Sequence, residues 1–144
     1  MVTAVFPGSF DPFTTGHEAI LRRVLPLFDR IYVAVGVNSE KQYMFTVDER
    51  LEIIRRMLAD CPTVEVLSYS GMTVDLCHSL GAQAIIRGIR TAQDFEYEQT
   101  IAAVNRLQDP SIETLLLLAD PEHVNISSTL ERERIAHQCN CPTT

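Results

Sequence analysis

Short apolar runs alternate along this chain with longer segments in which apolar residues recur at helical spacing. The runs are at most seven residues long, which suits buried strands and is too short for buried helices. The strongest of them, residues 31–37, is rich in the β-branched and aromatic residues that strands favour. We therefore expect five buried strands, over residues 3–6, 31–37, 64–67, 84–86 and 115–118.

The segments between and after these strands carry the signals of helices. Thr46 and Glu49 have the spacing of a capping box, in which each side chain bonds the backbone N–H of the other residue. Gly81 stands where a helix commonly ends in a left-handed residue, and Pro26 should end an earlier helix that begins near His17. The expected helices cover about 17–26, 46–59, 73–80, 94–107 and, behind a second capping box at Ser128, 128–137.

The alternation of strand and helix predicts the fold class, because parallel strands must be joined by crossover segments such as helices. We expect a single α/β domain over residues 1–144, doubly wound and Rossmann-like, with a five-stranded parallel sheet. In such sheets, ligands bind beyond the carboxyl ends of the strands. The segments that follow each strand are therefore the first candidates for the binding residues.

The segment after the first expected strand combines glycines, turn residues and a histidine at the start of a helix. Gly8 lets the backbone approach a ligand closely, and His17 would stand beside free backbone N–H groups, an arrangement that suits a phosphate. A capping residue in a tight loop would explain His17 alone, but not the whole string of residues 7–17. Asp11, in the same segment, is a weak candidate for a metal ligand.

Three further segments bring cations or hydroxyls to the same expected edge. Lys41 closes a polar turn after the second strand, where a lysine is commonly a solvated loop residue. Arg87 and Arg90 flank a glycine after the fourth strand and can fork around phosphate oxygens. The competing interpretation pairs these two arginines at the surface with Asp94 and Glu96. A helix start after the fifth strand adds three hydroxyls beside free N–H groups, those of Ser127, Ser128 and Thr129.

The charge balance narrows the class of ligand. The chain has 144 residues and a formal net charge of -7, which argues against nucleic acid as a partner because phosphate neutralisation needs clustered lysine and arginine. Against that acidic background, His17 when protonated, Lys41, Arg87 and Arg90 would form a local positive pocket suited to a polyphosphate. The sequence has neither a P-loop pattern nor the glycine pattern of dinucleotide-binding folds. We therefore expect a nucleotide phosphate site.

The cysteines and the apolar runs indicate where the protein works. Cysteines stand at 61, 77, 139 and 141, with no Cys-x-x-Cys spacing. Cys139 and Cys141 with His137 form a possible metal tail, but incidental cysteines near a chain end are commoner, and we expect no protein-held metal. No basic leader is evident and no run approaches the ~20 residues of a membrane span, so we expect a cytoplasmic protein with thiols and no membrane partner.

The residues that follow the first strand resemble the signature of the nucleotidylyltransferase superfamily. The likeness rests on Gly8–Pro12, Thr14, Gly16 and His17. More narrowly, the chain looks like the bacterial phosphopantetheine adenylyltransferase family in residues 87–90, 94–98, 105–106 and 126–129. The resemblance covers residues 2 to about 138.

The resemblance implies transfer of AMP from ATP to 4′-phosphopantetheine, giving dephospho-CoA and pyrophosphate, in coenzyme A biosynthesis. It also implies Mg²⁺ accompanying ATP, direct in-line attack without a covalent enzyme intermediate, and a homohexamer. The catalytic residues would be His17, Lys41 and Arg90. The phosphopantetheine side would be bound by Ser9, Lys41, Thr73 and Arg87. ATP would be bound by Ser9, Phe10, His17, Gly88, Ile89, Arg90, Glu98, His123, Val124, Asn125, Ile126, Ser127, Ser128 and Thr129.

Three positions depart from the family pattern. Ser9 replaces the commoner threonine and keeps its hydroxyl. Thr73 is polar where a larger apolar residue usually lies against the pantetheine arm, which puts that part of the pocket in question. The chain stops at Thr144, where we expect relatives to continue through a further apolar helical segment.

Two other functions stay open on the sequence. The first is a related nucleotidyltransferase with another acceptor, such as nicotinamide mononucleotide, although those enzymes usually carry a histidine where Thr14 stands and run longer. The second is a nucleotide-sensing module without catalysis. An inactive relative would be expected to lose His17, Lys41 or one of the arginines, and this sequence keeps them all.

Overall fold

Five parallel strands form the centre of the fold in a computed structural model, which describes residues 1–120. They lie in the order β3-β2-β1-β4-β5, so β1 is central and the topological switch point falls between β1 and β4. Every neighbouring pair is parallel, which confirms the expected sheet. The strands are β1 (Thr3–Gly8), β2 (Arg30–Gly36), β3 (Val64–Tyr69), β4 (Ala84–Ile89) and β5 (Glu113–Leu118).

Four α-helices connect the strands. Pro26 lies in a short 3₁₀ helix, Leu25–Leu27, that follows the first of them, as the expected end of that helix requires. No helix within residues 1–120 has both the length and the apolar character needed to cross a membrane. The helices are α1 (Thr15–Val24), α2 (Val47–Met57), α3 (Thr73–Leu80) and α4 (Ala92–Gln108).

The helix ends follow the capping chemistry of the sequence. At α2, the backbone N–H of Glu49 donates to Thr46 Oγ1 at 3.1 Å, and the Thr46 N–H donates back to Glu49 Oε1 at 2.9 Å, so the predicted capping box is confirmed. Gly81, with φ of 69°, ends α3 in the left-handed conformation, as expected. The final helix expected after Ser128 lies outside the described residues.

Two helices begin earlier than the pattern predicted. We expected α1 from His17 and α4 from Asp94, but they begin at Thr15 and Ala92. In both, a threonine caps the helix and the expected first residue lies at its third position, where its side chain bonds the threonine N–H. The usual capping box has glutamate or glutamine at that third position, so a histidine or an aspartate there does not display the box in the sequence pattern.

Strand β4 is longer than predicted, and the difference moves a candidate residue. It continues past Ile86 to Ile89, with Arg87 opposite Leu116 of β5. Arg87 therefore projects from the strand itself and not from a loop behind it. The pairing with β5 holds the backbone of β4 at this point, which gives Arg87 a fixed base.

The sheet separates two apolar layers. Alternate residues of β1 belong to different layers, with Ala4 and Phe6 in one and Val5 in the other. The first layer contains buried residues of α1 and α2, and the second contains those of α3. Each fully buried aliphatic side chain contributes roughly 1.5–3 kcal/mol to stability. These layers fix the carboxyl ends of β1, β2 and β4 relative to one another.

Candidate active site

Two cavities open at the carboxyl ends of the central strands and share one wall. The Lys41 cavity, of about 300 Å³, includes Lys41 and Thr73 in its lining. The His17 cavity, of about 520 Å³, is lined by His17 and Arg90 among others. The residues common to both linings, which we call the shared wall, are Pro7, Gly8, Ser9, Arg87 and Glu98.

Gly8 of the shared wall has no room for a side chain. A Cβ there would lie 2.8 Å from both Cε1 and Cζ of Phe10. Phe10 is itself buried, has a positive φ of 48°, and meets the His17 ring edge-on with 5.0 Å between centroids. The segment after β1 is thus folded back so that the Phe10 ring packs against the His17 ring. Phe10 also lies in the lining of the His17 cavity.

His17 is held as a neutral hydrogen-bond donor. The backbone N–H of Thr14 donates to His17 Nδ1 at 2.9 Å, so Nδ1 is an acceptor and the ring hydrogen is on Nε2. Burial, followed by the charges of Arg90 and Arg87, lowers the pKa of His17 from 6.5 to about 4. His17 therefore adds no positive charge to the site at neutral pH, and lysine and arginine supply the positive charge there.

Arg87 and Glu98 form a bidentate ion pair in the shared wall. Arg87 Nε donates to Glu98 Oε2 at 2.9 Å and Nη2 donates to Oε1 at 2.6 Å, while Nη1 donates to the carbonyl oxygen of Pro7 at 2.6 Å. Burial disfavours the charge on Arg87, but the hydrogen bonds and charge of Glu98 outweigh it and raise the pKa of the guanidinium. Arg87 therefore stays charged and is fixed to β1 and α4 together.

The competing interpretation, in which both arginines form surface ion pairs, is wrong for Arg87 and correct for Arg90. Arg87 pairs with the buried Glu98 and not with Glu96. Arg90 does contact Asp94, at 3.7 Å between Nε and Oδ2, and its own N–H donates to the same carboxylate at 3.0 Å. The side chain of Arg90 is 52% exposed, so it keeps donors directed to solvent and to the His17 cavity that it lines.

The two remaining candidates of β4, Gly88 and Ile89, differ in whether they line a cavity. Gly88 lines the His17 cavity, and a Cβ on it would lie 3.3 Å from Cγ1 of Ile20 in α1. The close packing of β4 against α1 thus needs a small residue there. The side chain of Ile89 is buried and lines neither cavity.

The Lys41 cavity joins a cation to neutral hydroxyls. Lys41 is exposed, and its backbone N–H donates to the Asn38 carbonyl oxygen at 3.0 Å in the turn after β2. The Thr73 hydroxyl lies 2.9 Å from the Tyr69 hydroxyl, and both residues line the cavity. The polar Thr73 is thus partnered within the chain. Ser9 reaches both cavities from the shared wall.

Sequence reasoning missed Arg50, the largest fully buried side chain of the described residues. It is 1% exposed, and its Nη1 donates to the carbonyl oxygens of Ser9 at 2.9 Å and Gly36 at 3.3 Å. The pattern did contain a signal. Arg50 stands three residues after Val47 and four before Ile54, on the apolar face of α2, where a charged residue needs a structural reason.

Asp11, the weak metal candidate, holds two backbone groups. Its Oδ2 accepts from the N–H of Met44 at 2.6 Å and its Oδ1 from that of Phe45 at 2.8 Å. Within residues 1–120, no group of three or more histidine, cysteine, aspartate or glutamate side chains comes together to ligate a metal. The described residues therefore do not form a protein cage for Mg²⁺.

Several candidates lie outside the described residues. They are the hydroxyl-rich stretch from His123 to Thr129, comprising His123, Val124, Asn125, Ile126, Ser127, Ser128 and Thr129, and the group of His137, Cys139 and Cys141. The two cysteines that the structure describes, Cys61 and Cys77, are buried thiols. Burial raises the pKa of Cys77 to about 11, so its thiol is unreactive at neutral pH.

Comparison with solved structures supports the fold. A bifunctional NMN adenylyltransferase/ADP ribose pyrophosphatase from Francisella tularensis matches with a TM-score of 0.66 at 16% identity, over 95% of this chain and 42% of that one. A lipopolysaccharide core biosynthesis protein from Thermoplasma volcanium matches with a TM-score of 0.55 at 20% identity, over 83% and 97%. At these identities the likeness establishes the fold.

Sequence comparison is more specific. The cytidylyltransferase-like family model matches residues 5–134. A phosphopantetheine adenylyltransferase of Flavobacterium psychrophilum is 49% identical over 94% of this chain and 89% of its own. Those of Bacteroides thetaiotaomicron and Thiobacillus denitrificans are 44% and 47% identical, over 95% and 92% of this chain and 90% and 83% of their own. The chain therefore belongs to the phosphopantetheine adenylyltransferase family of cytidylyltransferase-like nucleotidyltransferases.

Proposed function

We propose that this protein transfers AMP from ATP to 4′-phosphopantetheine, giving dephospho-CoA and pyrophosphate for coenzyme A biosynthesis. The observation that carries the proposal is the pair of cavities that meet at the shared wall, each with a cation of its own in its lining, Lys41 in one and Arg90 in the other. A reaction between ATP and a phosphorylated acceptor needs two adjoining binding cavities that bring the phosphate groups of the two substrates together. Relatives at 44–49% identity that are named for this activity support the same substrates.

In this proposal, ATP occupies the His17 cavity and the acceptor occupies the Lys41 cavity. Lys41 and Ser9 bind the acceptor phosphate, and the hydrogen-bonded pair of Thr73 and Tyr69 faces the pantetheine arm. Arg87, fixed by Glu98, lies where the two phosphate groups approach each other. On the ATP side we propose contacts from Ser9, Phe10, His17, Gly88, Arg90, Glu98 and residues 123–129.

The chemistry follows from this placement. An oxygen of the acceptor phosphate attacks the α-phosphorus of ATP in line, and the bond to the bridging oxygen breaks, so that pyrophosphate leaves. The protein needs no nucleophile, since its contribution is to position the reactants and stabilise charge. Neutral His17 donates its Nε2–H to the transferring phosphoryl group, Lys41 orients the attacking phosphate, and Arg90 offsets charge on the departing pyrophosphate. These three are the proposed catalytic residues.

Mg²⁺ is proposed to enter as part of the ATP substrate. Magnesium is commonly held by substrate phosphates with only one or two protein carboxylates, and it keeps several of its waters. That mode suits a site whose described residues form no cluster of metal ligands. It leaves Asp11 in its structural role of binding the N–H groups of Met44 and Phe45.

We further propose that the protein works as a homohexamer in the cytoplasm. Helix α4 has 17 residues, of which Glu98 is the buried one, and it exposes large apolar side chains to the surroundings. Val104 and Leu107, three residues apart on one side of the helix and outside both cavity linings, form an apolar patch typical of a surface covered by another subunit. The exposed apolar residues of this helix are Phe95, Tyr97, Val104 and Leu107.

The test is pyrophosphate release from ATP that depends on phosphopantetheine. His17→Ala should lower turnover by at least ~10²-fold, the scale of losing one charge-stabilising donor, while ATP binding weakens much less. His78→Ala is the control, because the His78 side chain is 84% exposed and lies in neither cavity. Reaction with nicotinamide mononucleotide in place of phosphopantetheine would sink the proposal, and tight ATP binding without turnover would favour the sensing module.

A further inference from the structure

A buried cation joins the two strand ends that border the Lys41 cavity. The single Nη1 atom of Arg50 donates to the carbonyl oxygen of Ser9, just after β1, and to that of Gly36, the last residue of β2. Both residues line the Lys41 cavity. Charge-assisted hydrogen bonds of this kind are roughly twice as strong as neutral ones. The spacing between the two walls is therefore set from α2, behind the cavity.

The same guanidinium supports the turn that carries Lys41. Its central carbon lies 4.0 Å from the centre of the Tyr43 ring, a cation–π contact. The Tyr43 hydroxyl accepts the N–H of Asn38 at 3.1 Å, and the Asn38 carbonyl accepts the N–H of Lys41 at 3.0 Å. A continuous series of contacts thus runs from Arg50 through Tyr43 and Asn38 to the backbone of Lys41.

The charge of Arg50 is balanced differently from that of Arg87. None of the ion pairs within residues 1–120 includes Arg50. Its guanidinium contacts two backbone carbonyl oxygens and the face of the Tyr43 ring instead. Its full positive charge is therefore not cancelled locally. Placed behind Ser9 and Gly36, this charge favours an anion in the Lys41 cavity.

We propose that Arg50 is a positioning residue that sets Ser9 and the Lys41 turn to receive the phosphate of the acceptor substrate. It rests on the proposed function for the identity of that acceptor. Arg50 touches the backbone of the binding residues and stands outside the cavity lining, so it acts through them. Its loss should weaken binding of the acceptor and leave binding of ATP in the His17 cavity largely intact.

The test compares Arg50→Met with Arg50→Lys and with Arg55→Met as the control. Arg55 lies on the same helix but is exposed, so the control makes the same chemical change away from the cavity. We expect Arg50→Met to raise KM for phosphopantetheine about tenfold or more and to change KM for ATP by less than about twofold. Arg50→Lys, which keeps the charge but not the paired geometry, should fall between the two.

Amide hydrogen exchange supplies a readout that needs no substrate. In Arg50→Met, the amides of Asn38 and Lys41 should exchange at least ~10-fold faster than in Arg55→Met, because the turn loses its support. If Arg50→Met does not fold, Tyr43→Leu interrupts the same series of contacts and should show the same acceptor-selective rise in KM.

The outcomes separate the two proposals. Equal rises in both KM values, or unchanged exchange at Asn38 and Lys41 in a folded variant, would overturn the role of Arg50. A wild-type protein without phosphopantetheine turnover would overturn the proposed function, and the exchange comparison would then still decide whether Arg50 positions the turn.

Discussion

Acidification should destabilise the protein through His17, and His17→Gln should remove that effect. The pKa of His17 is lowered from 6.5 to about 4 in the folded state, chiefly by burial. Below pH 6.5 the unfolded chain binds a proton that the native state does not bind. The free energy of unfolding should therefore fall as the pH falls from about 6.5 to about 4, and the His17 contribution should be constant above and below that window.

The size of the effect follows from the same pKa. The gap between 6.5 and about 4 corresponds to about 3 kcal/mol, at roughly 1.36 kcal/mol for each unit of pKa. Because the cavity is open to solvent, screening should reduce this to about 2 kcal/mol. Glutamine is the suitable replacement, since it does not titrate and is itself a usual third residue of a capping box with Thr14.

Urea unfolding of both proteins at intervals between pH 7.5 and pH 4 measures the difference. Other titrating groups are present in both proteins, so they cancel when the two free energies are subtracted. The wild type should lose about 2 kcal/mol relative to His17→Gln across the window. Parallel curves for the two proteins would refute the argument that His17 is held neutral.

The remaining predictions concern one buried carboxylate of the site and two glycines. Glu98→Gln should cost about 2–3 kcal/mol and raise KM for the acceptor, because Arg87 loses the charge of a partner whose side chain is 6% exposed. Gly8→Ala should cost about 1–3 kcal/mol and lower turnover strongly, because the new methyl group displaces the Phe10 ring that packs against His17. Gly81→Ala should cost about 1 kcal/mol through its positive φ alone and leave turnover unchanged.

Each of these has a matched measurement. Glu52→Gln removes half of an exposed ion pair with Arg56 and should cost under about 0.5 kcal/mol by chemical unfolding, so equal losses at Glu52 and Glu98 would contradict the first prediction. Normal pyrophosphate release by Gly8→Ala would contradict the second. A drop in turnover for Gly81→Ala at unchanged substrate affinity would show that α3 has a role the structure does not indicate.

Local rules predicted most of the fold because they act within a few residues. The pattern predicts the end of α3 before Gly81 correctly, since the left-handed glycine that ends the helix is a local signal. The starts of α1 and α4 were misplaced because His17 and Asp94 perform a capping function that glutamate usually performs. The extension of β4 to Ile89 depends on pairing with β5, which the sequence does not display.

The site was only partly predictable, for a similar reason. The positions of Lys41 and Arg87 at or after the ends of strands predict correctly that both lie at one edge of the sheet, because the carboxyl ends of parallel strands share that edge. The neutrality of His17 depends on burial and on Arg90, and the pairing of Arg87 with Glu98 depends on the turn of α4, so neither follows from spacing alone. Arg50 was overlooked because its partners are backbone carbonyls 14 and 41 residues away.

The shared wall has a consequence for ligands that contain both halves of the reaction. A molecule that joins an adenylyl group to a pantetheine arm would occupy both cavities at once, and its second half would bind at a high effective concentration once the first is in place. It would also lose its overall translational freedom only once, where two separate substrates lose theirs twice. The proposed product, dephospho-CoA, is the simplest such molecule, and an analogue that joins the two halves should bind more tightly than either half alone, which makes the shared wall the natural starting point for inhibitors that bridge the two cavities.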